Sequence, residues 1–406
     1  MRVPNYRLVQ LFVVSNGMTV FAKSMVAVSV LWILARGNST GEFVASYWIL
    51  STGIGIPAGA LSTLWFSDNA MLRWASLADA FKMLCLTTVA VWGFIRGSNP
   101  DIAVILALVI ALSFADKVYS GIPFSVIKRF EANDGRVREL VSRRGIVVQV
   151  GALVGALLGG AVASHHLSDV LLWAGVLYLG SALIAYVASG SLEEPPGDAG
   201  HRIRGAAPLI GIRGILPLFR MVGGMALLVL TYNGLHQALN FFLPLLAVHL
   251  MPQSKWYYGV AEAAYAAGGI VGSSVIKGAR WSELRWIALA VAAVALLFLS
   301  FSVLDRWFLI LGVYLFGFIY QWRSLALVKL QDMAPKTMMS NATALVSWVN
   351  SWISLGLFGA FYWALGYRSL LTVVWVVGVT FTIIGGVFVW RTLSMTKPSS
   401  PLTTSN

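Results

Sequence analysis

The sequence predicts an all-α integral membrane protein of twelve transmembrane helices in two pseudo-symmetric six-helix bundles. Composition, the length of the apolar runs and a polar connector that divides those runs six and six carry this expectation. Of 406 residues 58% are apolar, and mean hydropathy is +0.79, whereas soluble domains hold about 45–50% apolar residues. A helix needs about 20 apolar residues to cross the hydrocarbon core. The runs here are continuous rather than alternating, which favours helices over a barrel.

In order, the expected spans are 8–35, 41–66, 74–95, 102–126, 145–166, 168–189, 217–248, 256–276, 285–304, 307–329, 342–366 and 369–391. The amino terminus runs straight into the first span without a short apolar stretch and cleavage site, so a membrane helix is expected there and no removable signal. The longest polar connector, "SGSLEEPPGDAGHRIRGAAP", separates spans 6 and 7. Residues 1–189 then make the first bundle, 190–216 a cytoplasmic linker, 217–392 the second bundle and 393–406 a cytoplasmic tail.

The net charge of +13 is a topology signal. Twenty of the 29 Lys and Arg residues fall on the side that holds both termini, five on the other side and four within spans. The positive-inside rule therefore places both termini in the cytoplasm, and no nucleic-acid partner is expected. One cysteine, Cys85, leaves neither a disulfide framework nor a thiolate metal site, and the five histidines have no ligand spacing. No metal or cofactor is expected. "NST" at 38–40 fits a glycosylation acceptor, a tripeptide common by chance.

An internal repeat supports the division into halves. "NGMTVFAK" in span 1 aligns with "NGLHQALN" in span 7, and the same register sets Trp48 over Tyr265 and Gly55 over Gly272. "LRWASLA" recurs as "LRWIALA" at the start of spans 3 and 9, and "SFADKVYS" of span 4 overlies "GFIYQWRS" of span 10.

Charged groups at mid-span are the candidates for function. With about 1.5 Å rise per residue, Lys23, Lys82, Asp116, Lys117 and His236 fall near the midpoints of their spans. Glu262 lies toward the outside, and Asp79 and Arg323 toward the cytoplasm. A charge at that depth costs roughly 2.5–3.5 kcal/mol on insertion scales, so these groups must face water or one another. Asp79 and Lys82, at i and i+3, favour a local ion pair. Asp116 and Lys117 are neighbours about 100° apart on a helix, and one partner cannot serve both.

Lys23 has no acid within helical reach. Tyr232, Asn233, His236, Gln237 and Asn240 approximate one polar face of span 7, suited to a cavity or to hydrogen bonds between helices. Arg323 follows Tyr320 and Trp322 and can grip a carboxylate bidentately. Trp48, Trp348 and Trp352 are interior aromatics able to wall a substrate site. Four fixed cations against three acids suit an anionic or zwitterionic small molecule. Asp116, Glu262 and Asp79 are candidate proton carriers, since a carboxyl that exchanges a cationic neighbour between two conformations changes its proton affinity.

Twelve spans, a six-plus-six repeat, a polar central loop and cytoplasmic termini together resemble the major facilitator superfamily over essentially the whole chain. "LWFSDNAMLR" keeps Asp68 and Arg73 of the loop between spans 2 and 3 but replaces that motif's glycines and most of its basic residues. Lys117 and Gly121 stand at the basic and glycine positions of a span 4 motif. "GALVGALLGG" carries Gly151, Gly155, Gly159 and Gly160 of the exporters' span 5 motif, with Ala156 in place of its proline.

The resemblance implies an alternating-access secondary transporter, with span 1 lining the central cavity and span 5 at a helix contact. Tight packing of spans 5 and 8 would equally explain those glycines. Similarity to carboxylate-siderophore exporters implies proton-coupled export of a small polar or anionic compound, by a monomer in a bacterial inner membrane. Lys23, Lys117 and Arg323 would bind anionic groups, and Asp68 and Arg73 would act in the conformational change. The alternatives are an importer or facilitator, or a non-transporting receptor. No clustered nucleophile and base, metal spacing or phosphate loop points to an enzyme or a nucleotide-driven pump.

Overall fold

The structure is a computed structural model that describes residues 6–37, 41–65, 71–119, 134–162, 167–191, 233–276, 305–321, 323, 339–380 and 383. Described secondary structure is helical throughout: α1 (Tyr6–Gly37), α2 (Glu42–Trp65), α3 (Met71–Arg96), α4 (Ile102–Tyr119), α5 (Asp134–Val162), α6 (Leu167–Ser191), α7 (233–250), α8 (Lys255–Ile276), α9 (Arg306–Tyr320), α10 (Met339–Tyr367) and α11 (Leu370–Thr380). Where described, these helices overlie the expected spans; span 9, residues 217–232 of span 7 and the ends of spans 4, 10 and 12 lie outside the described residues. So do the linker from 192 onward, the C-terminal tail, the "NST" site, Asp68, Gly121, Trp322, Tyr232 and the Trp348 side chain.

One boundary differs from expectation. Hydropathy predicts span 5 from residue 145, yet α5 begins at Asp134. Hydropathy registers only the apolar part, while Glu139 and Arg143, 2.7 Å apart at i and i+4, support the helix beyond it.

The helices are inverted relative to those of a soluble protein. On α3, Leu77, Phe81, Leu84 and Ile95 are exposed, whereas Asp79 and Lys82 are completely buried. Lipid solvates the apolar face, and the costly polar groups turn inward. Among the described residues, the stretches Val9–Gly37, Leu72–Arg96, Ser142–Val162 and Leu167–Ser189 are each long and apolar enough to cross a bilayer.

Small residues decide which helices meet. α5 runs parallel to α1, and a Cβ on Gly151, Gly155 or Gly159 would run into the backbone of Gly17, Phe21 or Met25, each one turn after the last. The expectation that the span 5 glycines pack against span 8 is corrected for these three and holds for Gly160. The three lock α5 to α1 inside the N-terminal half. Gly160 faces α8, where a Cβ would lie 3.0 Å from the Gly259 Cα. Adjacent faces of one helix thus serve a fixed contact and a contact between halves.

The repeat is visible in three dimensions. A Cβ on Gly55 of α2 would meet Lys117 of α4, its nearest atom Cε at 2.6 Å. In the second half, a Cβ on Gly272 of α8 would meet Gln321, which follows α9, 3.2 Å from its Cγ. Gly55 aligns with Gly272 and Lys117 with Gln321 in the sequence repeat. Two copies of one helix pairing have kept their contact while changing the residue that makes it.

The halves also meet where aromatic residues gather, at the end of the bundle remote from the N-terminus. There Trp32 of α1 stacks on Tyr258 of α8, and Trp48 of α2 on Phe358 of α10. Phe241, Phe242 and Phe361 extend this layer, and all three are buried.

Candidate functional site

Four charged side chains from three helices form one continuous array. Lys23 Nζ of α1 lies 2.8 Å from Asp116 Oδ2 of α4, and Asp116 Oδ1 lies 2.7 Å from Lys82 Nζ of α3. Lys82 in turn is 3.2 Å from Asp79 Oδ1, one turn earlier on its own helix, so the i, i+3 pair that the spacing suggests is formed. Asp116 resolves the geometric puzzle of its neighbour: it faces Lys23 and Lys82, while Lys117 turns across Gly55 toward α2.

The two ends of the array differ in solvation. Asp79 and Lys82 have completely buried side chains. Asp79 Oδ2 accepts hydrogen bonds from Thr19 Oγ1 at 2.8 Å and Ser181 Oγ at 2.7 Å, and Lys82 also lies 5.0 Å from the Tyr178 ring centre. A buried charge is tolerated when its remaining lone pairs are satisfied this fully. Lys23 is 56% exposed. α1 and α4 make no extensive packing contact, so the Lys23–Asp116 pair reaches across a gap between helices.

The facing cluster comes from the second half. His236 of α7 stacks on Tyr320 of α9, with ring centres 4.4 Å apart, and on Tyr265 of α8, at 5.3 Å, the two tyrosine rings being 6.0 Å from each other so that the three form a triangle. Tyr320 donates to Asn233 Oδ1 at 3.4 Å, and the Arg323 guanidinium lies 5.6 Å from the Tyr320 ring centre. Lys23 and Arg323 both lie within Coulombic range of His236, and Asp116 and Glu262 both lie within that range of the Tyr47 hydroxyl. Groups of both halves therefore surround one central region. Glu262 accepts a hydrogen bond from Tyr258 at 3.0 Å.

Among the described residues, several buried polar atoms lack a hydrogen-bond partner: His236 Nδ1, Gln237 Oε1 and Arg323 Nε in this cluster, and Trp48 Nε1, Asn350 Oδ1 and Ser354 Oγ on α2 and α10. Such atoms cost about 1–3 kcal/mol each unless water or a ligand serves them. In the N-terminal half, Lys23, Lys82 and Lys117 outnumber Asp79 and Asp116 by one positive charge. Repeat alignment puts Tyr320 where Asp116 stands, Asn240 where Lys23 stands and His236 where Thr19 stands. One half is ionic, the other aromatic and amide-rich.

Among sequence candidates, the structure brings Lys23, Asp116, Asp79 and Lys117 together, and Asn233, His236 and Arg323 in the facing cluster. Arg73 is exposed in the first turn of α3, six residues before Asp79. Thr19, Ser181, Tyr178 and Tyr258 were missed. Thr19 carried a signal, as the repeat partner of His236; the other three sit in apolar runs where only tertiary contacts mark them.

The fold is that of the major facilitator superfamily. Solved structures similar over nearly the whole chain include the nucleoside transporter NupG (13% identity, 96% of this chain, 100% of that one, TM-score 0.65). A POT family peptide transporter in an auto-inhibited form shows 12% identity over 95% and 97% of the two chains at a TM-score of 0.65. A bacterial homologue of the human lysosomal transporter Spinster, in an inward-facing occupied state, shows 13% identity over 97% of each chain at 0.61. No family model matches the sequence, and no curated protein matches it either.

Proposed function

We propose that this protein is a secondary transporter which binds a small organic anion between its two halves and exports it in exchange for protons. The observation that carries the reading is the Lys23–Asp116–Lys82–Asp79 array, anchored in one half and open at Lys23 toward the other. The array itself is neutral, and Lys117 beside it together with Arg323 across the gap supplies the surplus positive charge that favours an anionic ligand. Lys117, Asn233, His236, Gln237 and Asn240 complete the substrate face. Asp116 and Glu262 are the proton-handling carboxylates.

Asp79 has a different task from the proton carrier expected from sequence. Two hydroxyls and an ammonium surround its carboxylate in the sealed end of the array, so it positions Lys82. Alternating access then consists of the two bundles, 1–189 and 217–392, rocking about the site, with α5 and α8 meeting through Gly160 and Gly259. Both termini would face the cytoplasm of a bacterial inner membrane, and a monomer holds the complete site. The Gly151–Gly160 pattern supports the export direction, with a carboxylate siderophore as the proposed cargo.

Inside-out vesicles containing the protein test this with labelled citrate and a citrate-based siderophore. Export predicts accumulation under an inward-acid gradient, collapsing on addition of an uncoupler. Downhill flux indifferent to the gradient would make the protein a facilitator, and accumulation only in right-side-out vesicles an importer.

A further inference from the structure

We propose that the seam between α2 and α10 is a second arm of the substrate site, which binds an uncharged hydroxyl or carbonyl group of the transported anion. The inference rests on the anion-transport reading and adds Trp48, Ser354 and Asn350 to it.

The register of the seam follows from two contacts. A Cβ on Gly41 would lie 3.2 Å from Leu365, and Trp48 stacks on Phe358 with ring centres 5.6 Å apart. Antiparallel helices with equal rise keep that register, so Ala45 comes opposite Phe361, Thr52 opposite Ser354 and Gly55 opposite Ser351. All six residues are buried. Apolar at the far end, the seam thus turns polar toward the bilayer centre. It ends at Gly55, over which the stem of Lys117 lies.

Ser354 is 1% exposed and its hydroxyl meets no partner. That is unusual for a serine in a membrane helix, which can bond the carbonyl four residues back. Ser29, Thr88, Ser274 and Thr380 of this chain all do so. One turn from Ser354, on the same face of α10, the Asn350 amide oxygen is also unpartnered. Across the seam, Trp48 Nε1 is buried without an acceptor. An indole N–H can only donate, and the stack on Phe358 prevents the ring from turning away. Two hydrogen-bonding groups of α10 and a fixed donor of α2 therefore converge on a buried seam within about one or two helix turns, roughly 5–10 Å, of the Lys117 level. A ligand that fits carries its charge at the lysines and a hydroxyl or carbonyl at this distance.

Matched acids separate the arms. The purified full-length protein in detergent is titrated with citrate and with tricarballylate, its analogue lacking the hydroxyl, and likewise with malate and succinate; affinity is read from the thermal-unfolding shift. The hydroxy acid is expected to bind about three- to tenfold more tightly, the range of one neutral hydrogen bond. Trp48→Phe, which keeps the stack, Ser354→Ala and Asn350→Leu should each bring that ratio toward one while leaving the affinity for tricarballylate unchanged. Equal binding of each acid pair, or a preference that survives all three substitutions, overturns the seam site but leaves the anion reading standing. Failure of all four acids to bind defeats the anion reading and this inference with it.

Discussion

Asp116 is shared by two lysines in unlike surroundings: Lys82, sealed inside the N-terminal half, at 2.7 Å, and Lys23, open to the gap between halves, at 2.8 Å. Asp116→Asn leaves Lys82 its ion pair with Asp79 but removes the carboxylate charge that pairs with Lys23. Stability should fall by only about 1–3 kcal/mol, whereas gradient-driven transport should be lost. Thermal midpoints and vesicle uptake measured on the same preparation check the separation.

Asp79 and Lys82 behave in the opposite way. Asp79→Asn removes the charge that two hydroxyls and Lys82 surround, a loss of about 3–5 kcal/mol for one partner of a buried pair. Adding Lys82→Met should recover part of that loss. A double-mutant cycle in thermal stability measures the coupling, and strict additivity of the two substitutions would contradict a direct pair.

Two glycines related by the repeat should give unlike mutants. Gly55→Ala pushes against the flexible end of Lys117, which can swing aside, so apparent substrate affinity should change with little effect on folding. Gly272→Ala meets the Phe318 backbone carbonyl, which cannot move. It should lower the yield of folded protein, as should Gly155→Ala against Phe21. Gly53→Ala, with open space around it, is the tolerated control. Size-exclusion profiles in detergent distinguish the four.

Glu262 has the Tyr258 hydroxyl as its hydrogen-bond partner at 3.0 Å and faces the region that also holds Asp116. Glu262→Gln keeps the shape and removes the titratable proton. Counterflow of labelled substrate across proteoliposomes without a gradient should persist, while uphill accumulation should disappear. Preservation of both would remove Glu262 from coupling.

His236 is held by two tyrosine rings rather than by an ion. His236→Phe should preserve stability because the stack remains, and His236→Ala should reduce it. Both should weaken substrate binding if Nδ1 serves the ligand. Comparing their thermal midpoints with their affinities separates packing from recognition.

Helix positions were legible because hydrocarbon demands long apolar runs, and eleven of twelve spans agree with described helices. Lys23, Asp116 and Lys82 stood out because charge is rare at that depth. The extra turns at the start of α5 were not legible, since polar helix and polar loop have the same hydropathy. Ser181 was silent because a hydroxyl in a membrane helix usually bonds its own backbone, and Thr19 was marked only by its repeat alignment with His236.

By itself the sequence determined the helical membrane class, the duplicated halves and the set of charges that had to find company inside the bilayer, because those follow from solvation cost and chain length. Only the tertiary structure decided who accompanies whom: that Asp116 joins Lys23 to Lys82 instead of pairing with its neighbour Lys117, and that three α5 glycines clasp α1 while Gly160 alone meets α8. Those choices depend on helix rotation and on which backbones approach closely, and a linear pattern of residues carries neither.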